Sequence, residues 1–319
     1  MAKKKQEEIL GKYQPKKKQN LKVYEFVENK LSESGKESFR SCSTFNQFVV
    51  TKNKKKAKRI KGNNFQSRFC PLCAWRNACK NAMKIATMME AIRIEQKKEF
   101  LFLTLTTPNS KGALVKQEID RFNQAFTKLF KRRNVARAMK GYIRKLEMTY
   151  NKERDDYNPH FHVLLCVNKS YMTDTRTYIT QKEWLRMWRD ATKLPEITQV
   201  HLQKVTITRK GNAVSEIAKY AAKDYEMVTN QEVFDVFYHG LKGRQLIVYG
   251  GLLKEYALKY EMGELDMYKT QDRHHYFYKL IAIWNPGVLK FNQEYVKLTE
   301  EEQIQYNHRF QTEMEIDDL

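Results

Sequence analysis

The sequence predicts an α+β protein built around a ferredoxin-like, split βαβ antiparallel sheet with helices on one face. Between residues 100 and 225, strand and helix patterns follow one another as β-α-β-β-α-β-α, which is the order of that motif. A basic N-terminal extension and a C-terminal extension flank this region. Apolar residues make up 41% of the 319-residue chain, which is enough for a substantial core.

The first strand and the first long helix follow from periodicity and from turn residues. The apolar run Phe100–Thr106 indicates a strand, which Pro108 and Asn109 end. A helix is predicted over 114–137, because apolar residues recur on one stripe of its surface. That stripe consists of Val115, Ile119, Phe122, Phe126, Leu129 and Phe130.

The next two strands are predicted to be the central pair of the sheet. They cover Tyr142–Thr149 and 159–168, and the polar segment Tyr150–Asn158 joins them as a hairpin loop. The elements predicted after them are a helix over Gln181–Ala191, a strand over Gln199–Ile207, a helix over Glu216–Asp224 with Ser215 as N-cap, strands over Phe234–Tyr238 and Gln245–Tyr249, a turn at Gly250 and Gly251, and a helix over Leu252–Tyr260.

The net charge of +22, from 59 Lys and Arg against 37 Asp and Glu, indicates an anionic partner. Nucleic acid and an anionic membrane surface both meet this requirement. A run of charge is often only a solvated face, but a total this large favours phosphate contacts. The clusters predicted to contact DNA are Lys16, Lys17 and Lys18, and Lys54, Lys55 and Lys56.

The composition favours a cytoplasmic protein. No run of about 18 apolar residues is present, so no membrane-spanning helix is expected. The residues after Met1 lack the apolar stretch of a signal peptide. In a reducing compartment, five cysteines indicate a metal site or buried thiols rather than a disulfide framework.

Two histidines flank a bulky residue in the strand pattern Asn158–Val167. Since side chains alternate between the faces of a strand, His160 and His162 point the same way and Phe161 points towards the core. The two imidazoles would form a pair of metal ligands on one face of the sheet. The alternative is a pair of histidines that simply face solvent.

Glu147 is the candidate for a third ligand, because the hairpin places its strand beside the histidine strand. Two imidazoles and one carboxylate leave positions on a metal for water and a phosphate oxygen. Considered alone, Glu147 is equally compatible with a surface glutamate on a half-buried strand.

Three different side chains share one face of the predicted helix that Ser215 begins. Glu216, Tyr220 and Lys223 stand at i, i+4 and i+7. A tyrosine can attack phosphorus and form a covalent ester, a lysine can stabilise charge, and a glutamate can act as a base. Tyr225 lies about half a turn away from Glu216, so it is the poorer nucleophile candidate. Without the histidines, an ordinary amphipathic helix would be the simpler interpretation.

Taken in order, these motifs resemble the HUH endonuclease superfamily, in which two histidines flank a bulky hydrophobic residue. More narrowly, the chain resembles the plasmid rolling-circle replication initiators of Gram-positive bacteria, in the subgroup with one catalytic tyrosine and a glutamate. The matching motifs are Phe102-Leu103-Thr104-Leu105-Thr106, Pro159-His160-Phe161-His162-Val163, and Glu216-Ile217-Ala218-Lys219-Tyr220-Ala221-Ala222-Lys223. The resemblance covers residues 40–260 and implies the HUH endonuclease fold.

The resemblance implies a site-specific DNA nicking and closing enzyme. Tyr220 would attack one phosphodiester of a plasmid's double-strand origin, stay linked to the 5′ phosphate and free a 3′-OH. His160 and His162, with Glu147, would bind Mg²⁺ or Mn²⁺. Glu216 would activate water, or help the released 3′-OH, to end a round of replication. The implied partners are origin DNA, single-stranded DNA, a host helicase and a host DNA polymerase.

Cys42, Cys70 and Cys73 resemble the N-terminal cysteine region of that family, which implies a zinc site. Family members often have another cysteine shortly before the Cys-Pro-x-Cys unit, and this chain has none over 64–68. Cys79 or a water could complete a tetrahedron.

Composition and motifs together divide the chain into four regions. These are a basic flexible arm over 1–40, a cysteine-containing region with a helix over 41–98 that could bind zinc or DNA, a nicking domain over 99–260, and a C-terminal extension with an acidic tail over 261–319.

Three other functions compete with nicking at an origin. A non-catalytic basic DNA-binding regulator would leave the histidines structural, and the shared face of Glu216 and Tyr220 argues against it. A relaxase or transposase of another mobile element is disfavoured by the single candidate tyrosine and by the lack of a helicase or transfer domain. A zinc hydrolase is disfavoured because the charge and the tyrosine helix favour DNA.

Overall fold

The computed structural model describes residues 9–205 and 226–309, and these form an α+β protein with two open antiparallel sheets. The predicted fold class is confirmed. The helices are α1 (Tyr13–Val27), α2 (Glu33–Ser41), α3 (Pro71–Gln96), α4 (Val115–Phe130), α5 (Arg133–Ala138), α6 (Gln181–Thr192), α7 (Gln231–Leu241), α8 (Leu252–Glu261) and α9 (Glu300–Arg309). The strands are β1 (Phe45–Thr51), β2 (Ala57–Gly62), β3 (Lys98–Thr106), β4 (Met139–Asn151), β5 (Asp156–Asn168), β6 (Val200–Lys204), β7 (Ile247–Gly251), β8 (Tyr276–Asn285) and β9 (Lys290–Lys297). Within these ranges, no helix combines the length and the apolar character needed to cross a membrane.

The described residues divide into two compact units. The first unit contains residues 9–83 and 269–309, and the second contains 84–205 and 226–268. The described part of the predicted nicking domain, 99–260, falls in the second unit. The four regions expected from the sequence stay predictions.

The second unit contains a five-stranded sheet in the order β6-β3-β5-β4-β7, and every pair in it is antiparallel. Apart from the short α5, its elements follow one another as β3-α4-β4-β5-α6-β6, which is the split βαβ arrangement. β7 extends the sheet beyond β4. The central strand of the sheet is therefore β5, with β3 and β4 on its two sides. The sequence instead predicts β4 and β5 as the central pair.

One face of this sheet is covered by α4 and α6 through aromatic side chains. Phe161 of β5 has no exposed surface, and its ring centroid lies 5.9 Å from that of Phe122 and 5.6 Å from that of Phe126. Trp188 of α6 donates from Nε1 to the carbonyl oxygen of Thr106 at 2.7 Å. The side of β5 that carries Phe161 therefore faces the core, as the alternation of side chains predicts.

The segment Phe234–Tyr238, predicted as a strand, belongs to the helix α7, so that prediction is wrong. Asn230 caps α7 by accepting a hydrogen bond from the backbone N–H of Val233 at 2.8 Å. Aromatic and β-branched residues favour a strand locally, but Val233, Phe234 and Phe237 are buried at helical spacing. Tertiary burial therefore outweighed local preference.

Two further boundaries differ from their predictions. The single helix expected over 114–137 is two helices, because Arg132 between α4 and α5 is extended, with φ −62° and ψ 135°. Gly250 and Gly251 end β7 rather than form a turn. Gly251 has a φ of +57°, and a Cβ there would lie 2.5 Å from the carbonyl oxygen of Lys140. Only glycine fits this junction between β7 and α8.

In the region predicted as a basic arm, the described residues form two helices that pack together, α1 and α2. Tyr13 and Phe39 have no exposed surface. The ring of Tyr13 lies edge-on, 5.2 Å from the rings of both Phe48 in β1 and Trp75 in α3. Apolar residues spaced between the lysines give α1 a buried face.

The first unit also contains a four-stranded sheet in the order β2-β1-β8-β9. β8 and β9 come from the predicted C-terminal extension, and the whole length of β1 pairs with β8. Val49, Tyr276 and Leu298 form a buried cluster beside this pair. The segment after residue 261 therefore supplies core residues of the first unit.

Phe161→Ala should lower the free energy of unfolding by about 3–5 kcal/mol, because it leaves a cavity between β5 and α4. The change is measured by urea denaturation followed by circular dichroism. Leu258→Ala is the control, since Leu258 is 58% exposed and its truncation should change stability by about 0.5 kcal/mol or less. A decrease no larger than that of the control would contradict the burial of Phe161 against α4.

Candidate functional site

The register between β4 and β5 places a carboxylate and a lysine beside the two histidines. Glu147 pairs with His160, and Lys145 pairs with His162. Directly paired residues of neighbouring strands point to the same face of a sheet. Since Phe161 points into the core, these four side chains lie together on the opposite face.

The three candidate ligands lie within reach of one ion. Oε2 of Glu147 is 3.4 Å from Nε2 of His162 and 3.7 Å from Nε2 of His160. The two imidazole rings are nearly perpendicular, with centroids 4.9 Å apart. The three side chains are between 11% and 16% exposed, so they are sheltered but reachable from solvent.

Both imidazoles are oriented through their Nδ1 atoms. Nδ1 of His160 lies 3.0 Å from the carbonyl oxygen of Asn158, which can only accept, so this nitrogen carries the proton. Nδ1 of His162 lies 3.4 Å from Oγ1 of Thr104, the residue paired with it in β3. In His160, Nε2 is therefore the ring atom that can bind a cation.

The surroundings of Glu147 keep its carboxyl group ionised. Burial by itself would raise its pKa. The neighbouring imidazoles of His160 and His162, together with the positive charge of Lys145, outweigh burial and hold the pKa of Glu147 well below its ordinary value. Nζ of Lys145 lies 2.6 Å from Oε1, so Oε2 is the oxygen that faces the histidines. A carboxylate that stays charged at neutral pH is suited to a cation.

The donor set fits a divalent cation. One ligand atom from each of Glu147, His160 and His162 lies within 4.8 Å of the other two. Imidazole nitrogen and carboxylate oxygen are ligands that such ions accept, and three protein ligands leave positions for other groups. The structure thus brings together the three residues that the sequence suggested.

Three supporting residues were missed in the sequence. They are Lys145, which holds Glu147, and Asn158 and Thr104, which contact the histidines. The spacing of two between Lys145 and Glu147 places both on one face of a strand and could have identified the lysine. The contact of Thr104 depends on which strand pairs with β5, and no local pattern encodes that.

The proposed nucleophile and its two neighbours lie outside the described residues. Tyr220, Glu216 and Lys223 all fall within 206–225. Their shared helix face therefore stays a prediction from the sequence.

The N-terminal lysine cluster is divided between the interior and the surface. Lys17 is completely buried, and its Nζ donates to the carbonyl oxygens of Arg40 at 2.6 Å and Cys42 at 2.8 Å. It cannot reach a phosphate, which corrects the prediction that Lys17 contacts DNA. Lys16 is half-buried and Lys18 is exposed. Consecutive helical residues point about 100° apart, so three of them cannot share one face.

The second lysine cluster lies at the turn between β1 and β2. Four exposed lysines occupy this turn: Lys52, Lys54, Lys55 and Lys56. Thr51 fixes the turn, since its N–H donates to the carbonyl oxygen of Lys56 at 2.9 Å and its Oγ1 donates to Oδ1 of Asn53 at 2.7 Å. Nζ of Lys54 lies 4.2 Å from the ring centroid of Tyr295. The turn is therefore an ordered, positively charged projection.

Three buried cysteines come together in the first unit. Sγ of Cys42 lies 3.4 Å from that of Cys73 and 3.6 Å from that of Cys70. Hydrogen bonds among the three thiols lower the pKa of Cys73 and raise the pKa of Cys70. Among the described residues, Cys79 is buried elsewhere and is not part of this group.

Glu147→Gln should weaken Mn²⁺ binding by at least about tenfold, because it removes an anionic ligand beside the two histidines. The dissociation constant is measured by isothermal titration calorimetry. Glu153→Gln is the matched control, since Glu153 is exposed in the turn of the same hairpin. Equal affinity in the two variants would exclude Glu147 as a ligand.

Comparisons with known proteins give this site a context. A family model described as "Replication protein" matches residues 56–296. The chain is 49% identical over 222 residues to "Protein rep" of Staphylococcus aureus, which covers 70% of this chain and 96% of that relative. It is 34% identical over 231 residues to "Protein rep" of Streptococcus pneumoniae serotype 2, which covers 69% and 72%. No solved structure gives a significant match. On the extent of these matches, the chain belongs to the replication protein family.

Proposed function

We propose that the chain initiates rolling-circle replication by binding a plasmid's double-strand origin and nicking one strand through a tyrosine. The observation that carries this proposal is the convergence of Glu147, His160 and His162 in a member of the replication protein family. Two imidazoles and a charged carboxylate suit cation-assisted chemistry at phosphate. A purely structural pair of histidines would not need an ionised, sheltered glutamate beside it.

The proposed nick is a transesterification. The phenolic oxygen of Tyr220 attacks phosphorus and forms a new P–O bond, while the bond to the 3′ oxygen breaks. The 3′ oxygen takes up a proton, and the other strand end stays linked to tyrosine as a 5′ phosphate ester. Lys223, one turn further along the predicted helix, supplies positive charge that favours loss of the phenol proton.

Three residues would hold Mg²⁺ or Mn²⁺ at the scissile phosphate: Glu147, His160 and His162. When bound, such an ion supplies Lewis-acid stabilisation of the charge that develops on the phosphate. Asn158 fixes the ring of His160, and Lys145 fixes the carboxylate of Glu147. Ligands held in place in this way need little rearrangement before they bind.

Glu216 is proposed to end the round of replication. It precedes Tyr220 by one helical turn, so both side chains can reach one phosphate. A carboxylate can take a proton from water, and the resulting hydroxide can attack the phosphorus of the phosphotyrosine ester. The bond from phosphorus to the tyrosine oxygen then breaks, and that oxygen takes up a proton. Glu216 can equally assist attack by a 3′-OH, which would rejoin the strand.

The free 3′-OH implies two host partners. It is a primer for a DNA polymerase, and a helicase is required to separate the strands ahead of synthesis. Origin DNA and the displaced single strand are therefore the proposed nucleic-acid partners.

The turn between β1 and β2 is proposed to bind DNA phosphates. Its lysines are exposed, and Thr51 and Asn53 hold the backbone that carries them. The ring of Tyr295 restrains the ammonium group of Lys54. A restrained cation loses less entropy when it binds a phosphate than a freely rotating one does.

Tyr220→Phe should give no covalent protein–DNA adduct, because phenylalanine has no oxygen that can attack phosphorus. The protein is incubated with Mn²⁺ and a supercoiled plasmid carrying its own origin, and adducts are resolved on a denaturing gel and mapped by mass spectrometry. Tyr225→Phe is the matched control and should nick normally. An adduct mapped to Tyr225 would show that the nucleophile is misassigned.

Two further arms of the same experiment separate the other roles. His160→Ala or His162→Ala should slow nicking by about a thousandfold or more, with DNA binding largely retained. Glu216→Ala should still nick, but replication in cells should run past one plasmid length. Full activity in either histidine variant, or normal termination with Glu216→Ala, is incompatible with the proposal.

Replacing Lys54, Lys55 and Lys56 with glutamine should reduce the slope of log K against log salt by up to about 2.7, roughly 0.9 for each phosphate that a lysine no longer neutralises. Sequence preference should change little, because binding to phosphates carries no base information. Binding is measured by fluorescence anisotropy across a salt series. The control replaces three exposed lysines of α4 and its C-terminal end, namely Lys116, Lys128 and Lys131. An unchanged slope, or an equal change in the control, would place the DNA-binding lysines elsewhere.

A further inference from the structure

The turn that joins β8 to β9 exposes apolar side chains. Residues 286–289 connect the two strands and form the hairpin tip. All four are exposed to solvent, and Val288 and Leu289 are 59% and 42% exposed. Pro286 and Gly287 are common residues of turns, whereas valine and leucine are not. The hairpin tip therefore presents apolar surface at a place where polar residues are usual.

The backbone of the turn does not explain the leucine. Leu289 has a φ of +51°, in the left-handed region that glycine and asparagine adopt more readily than leucine does. An asparagine at this position would favour the same backbone and would expose no apolar side chain. Leucine therefore opposes the local preference, and strain of this kind is found most often at functional positions.

The strands beneath the hairpin tip hold it in place. Trp284 and Phe291 pair directly across the hairpin, are 7% and 6% exposed, and pack edge-on with ring centroids 5.0 Å apart. Oδ1 of Asn285 accepts a hydrogen bond from the backbone N–H of Gly287 at 3.0 Å. The apolar side chains are thus carried on an ordered support, so little entropy is lost when they enter a partner.

Charge and size indicate which partner the hairpin tip fits. Lys290 beside the tip is exposed, and residues 9–83 of the same unit contain 18 Lys and Arg against 4 Asp and Glu. Such an excess favours a polyanion. A specific protein interface takes about 20–30 residues from each partner, many more than this turn offers. Apolar side chains such as leucine and proline do enter DNA, where they insert between base pairs from the minor groove.

We infer that the hairpin tip is a wedge that inserts Leu289, flanked by Pro286 and Val288, between two base pairs of duplex origin DNA. Insertion unstacks one base step, and Lys290 contacts a phosphate beside it. Pyrimidine–purine steps such as TA and CA cost least to unstack, so the wedge selects these steps. The opened duplex supplies an unpaired strand for nicking. This inference rests on the proposed function, because it takes origin DNA as the partner.

Unstacking is measured by permanganate footprinting, since permanganate oxidises thymines that are not stacked in a duplex. The full chain is bound to a linear duplex containing the origin, without divalent ions, so that no strand is cut. Bound wild-type protein should make thymine reactive at a pyrimidine–purine step. The tip variant, Val288→Ser with Leu289→Asn, should bind without this reactivity, and its asparagine suits the left-handed backbone.

Ile304→Ser is the matched control, because Ile304 is 71% exposed in α9 of the same unit. It should give the wild-type footprint. Leu289→Asn alone is a milder change and should give weaker thymine reactivity than the wild-type chain. No reactive thymine with bound wild-type protein, or the same footprint from the tip variant and the control, would overturn the wedge.

Nicking rates separate this inference from the proposed function. With Mn²⁺, the tip variant should nick an origin duplex at least about tenfold more slowly than Ile304→Ser does, because it has to open the duplex without the wedge. Both should nick a single-stranded origin oligonucleotide at the same rate. Normal nicking of the duplex by the tip variant, or an equal loss on both substrates, would overturn the wedge. If wild-type protein nicks neither substrate, the proposed function fails and the footprint still decides the wedge.

An anionic lipid surface is the other partner that an apolar turn beside a lysine could enter. Vesicles of phosphatidylserine and phosphatidylcholine are sedimented with each protein, and the bound fraction is measured. The tip variant and Ile304→Ser should bind to the same extent. A loss of vesicle binding confined to the tip variant would assign the hairpin tip to lipid and overturn the DNA wedge.

Discussion

The antiparallel register between β4 and β5 is the constraint on which the candidate site depends. It sets Glu147 opposite His160 and Lys145 opposite His162. Because side chains alternate along a strand, a shift of one residue would send the imidazoles into the aromatic core and expose Phe161. Burial of a large aromatic side chain stabilises a protein by about 1.5–3 kcal/mol, so such a shift is strongly disfavoured. Burial of Phe161 therefore fixes the register of β4 and β5, and this register places the polar side chains together.

The side chains of the polar site also determine the charge of Glu147. Glu147 is sheltered, and burial alone would favour its neutral form. The histidines and Lys145 reverse that preference, so the carboxylate remains charged where a cation can use it. Support also comes from the neighbouring strand, since Thr104 of β3 contacts His162. Three adjacent strands therefore contribute to one small set of ligands, and a change in any strand pairing would disturb it.

Not all of the charge of +22 is available to a partner, because some of the lysines are buried. Lys17 is fully buried among carbonyl oxygens, and Lys58 is 4% exposed in an ion pair with Asp272 at 3.1 Å. Lys54 and Lys55, by contrast, are exposed at an ordered turn. Some lysines of this chain organise its interior, and others are available to phosphates. Composition alone indicates an anionic partner, but it does not distinguish these two groups.

The sequence by itself determined the order of the split βαβ elements and the shared face of His160 and His162, because order and alternation are local properties of a chain. It also suggested Glu147, although not that Lys145 would hold it. Only the tertiary structure decided that Lys17 is buried, that the segment Phe234–Tyr238 is a helix, and that Cys42 after α2 meets the cysteines at the start of α3. These features depend on which distant segments pack against each other, and the energy of that packing outweighs local preference wherever the two disagree.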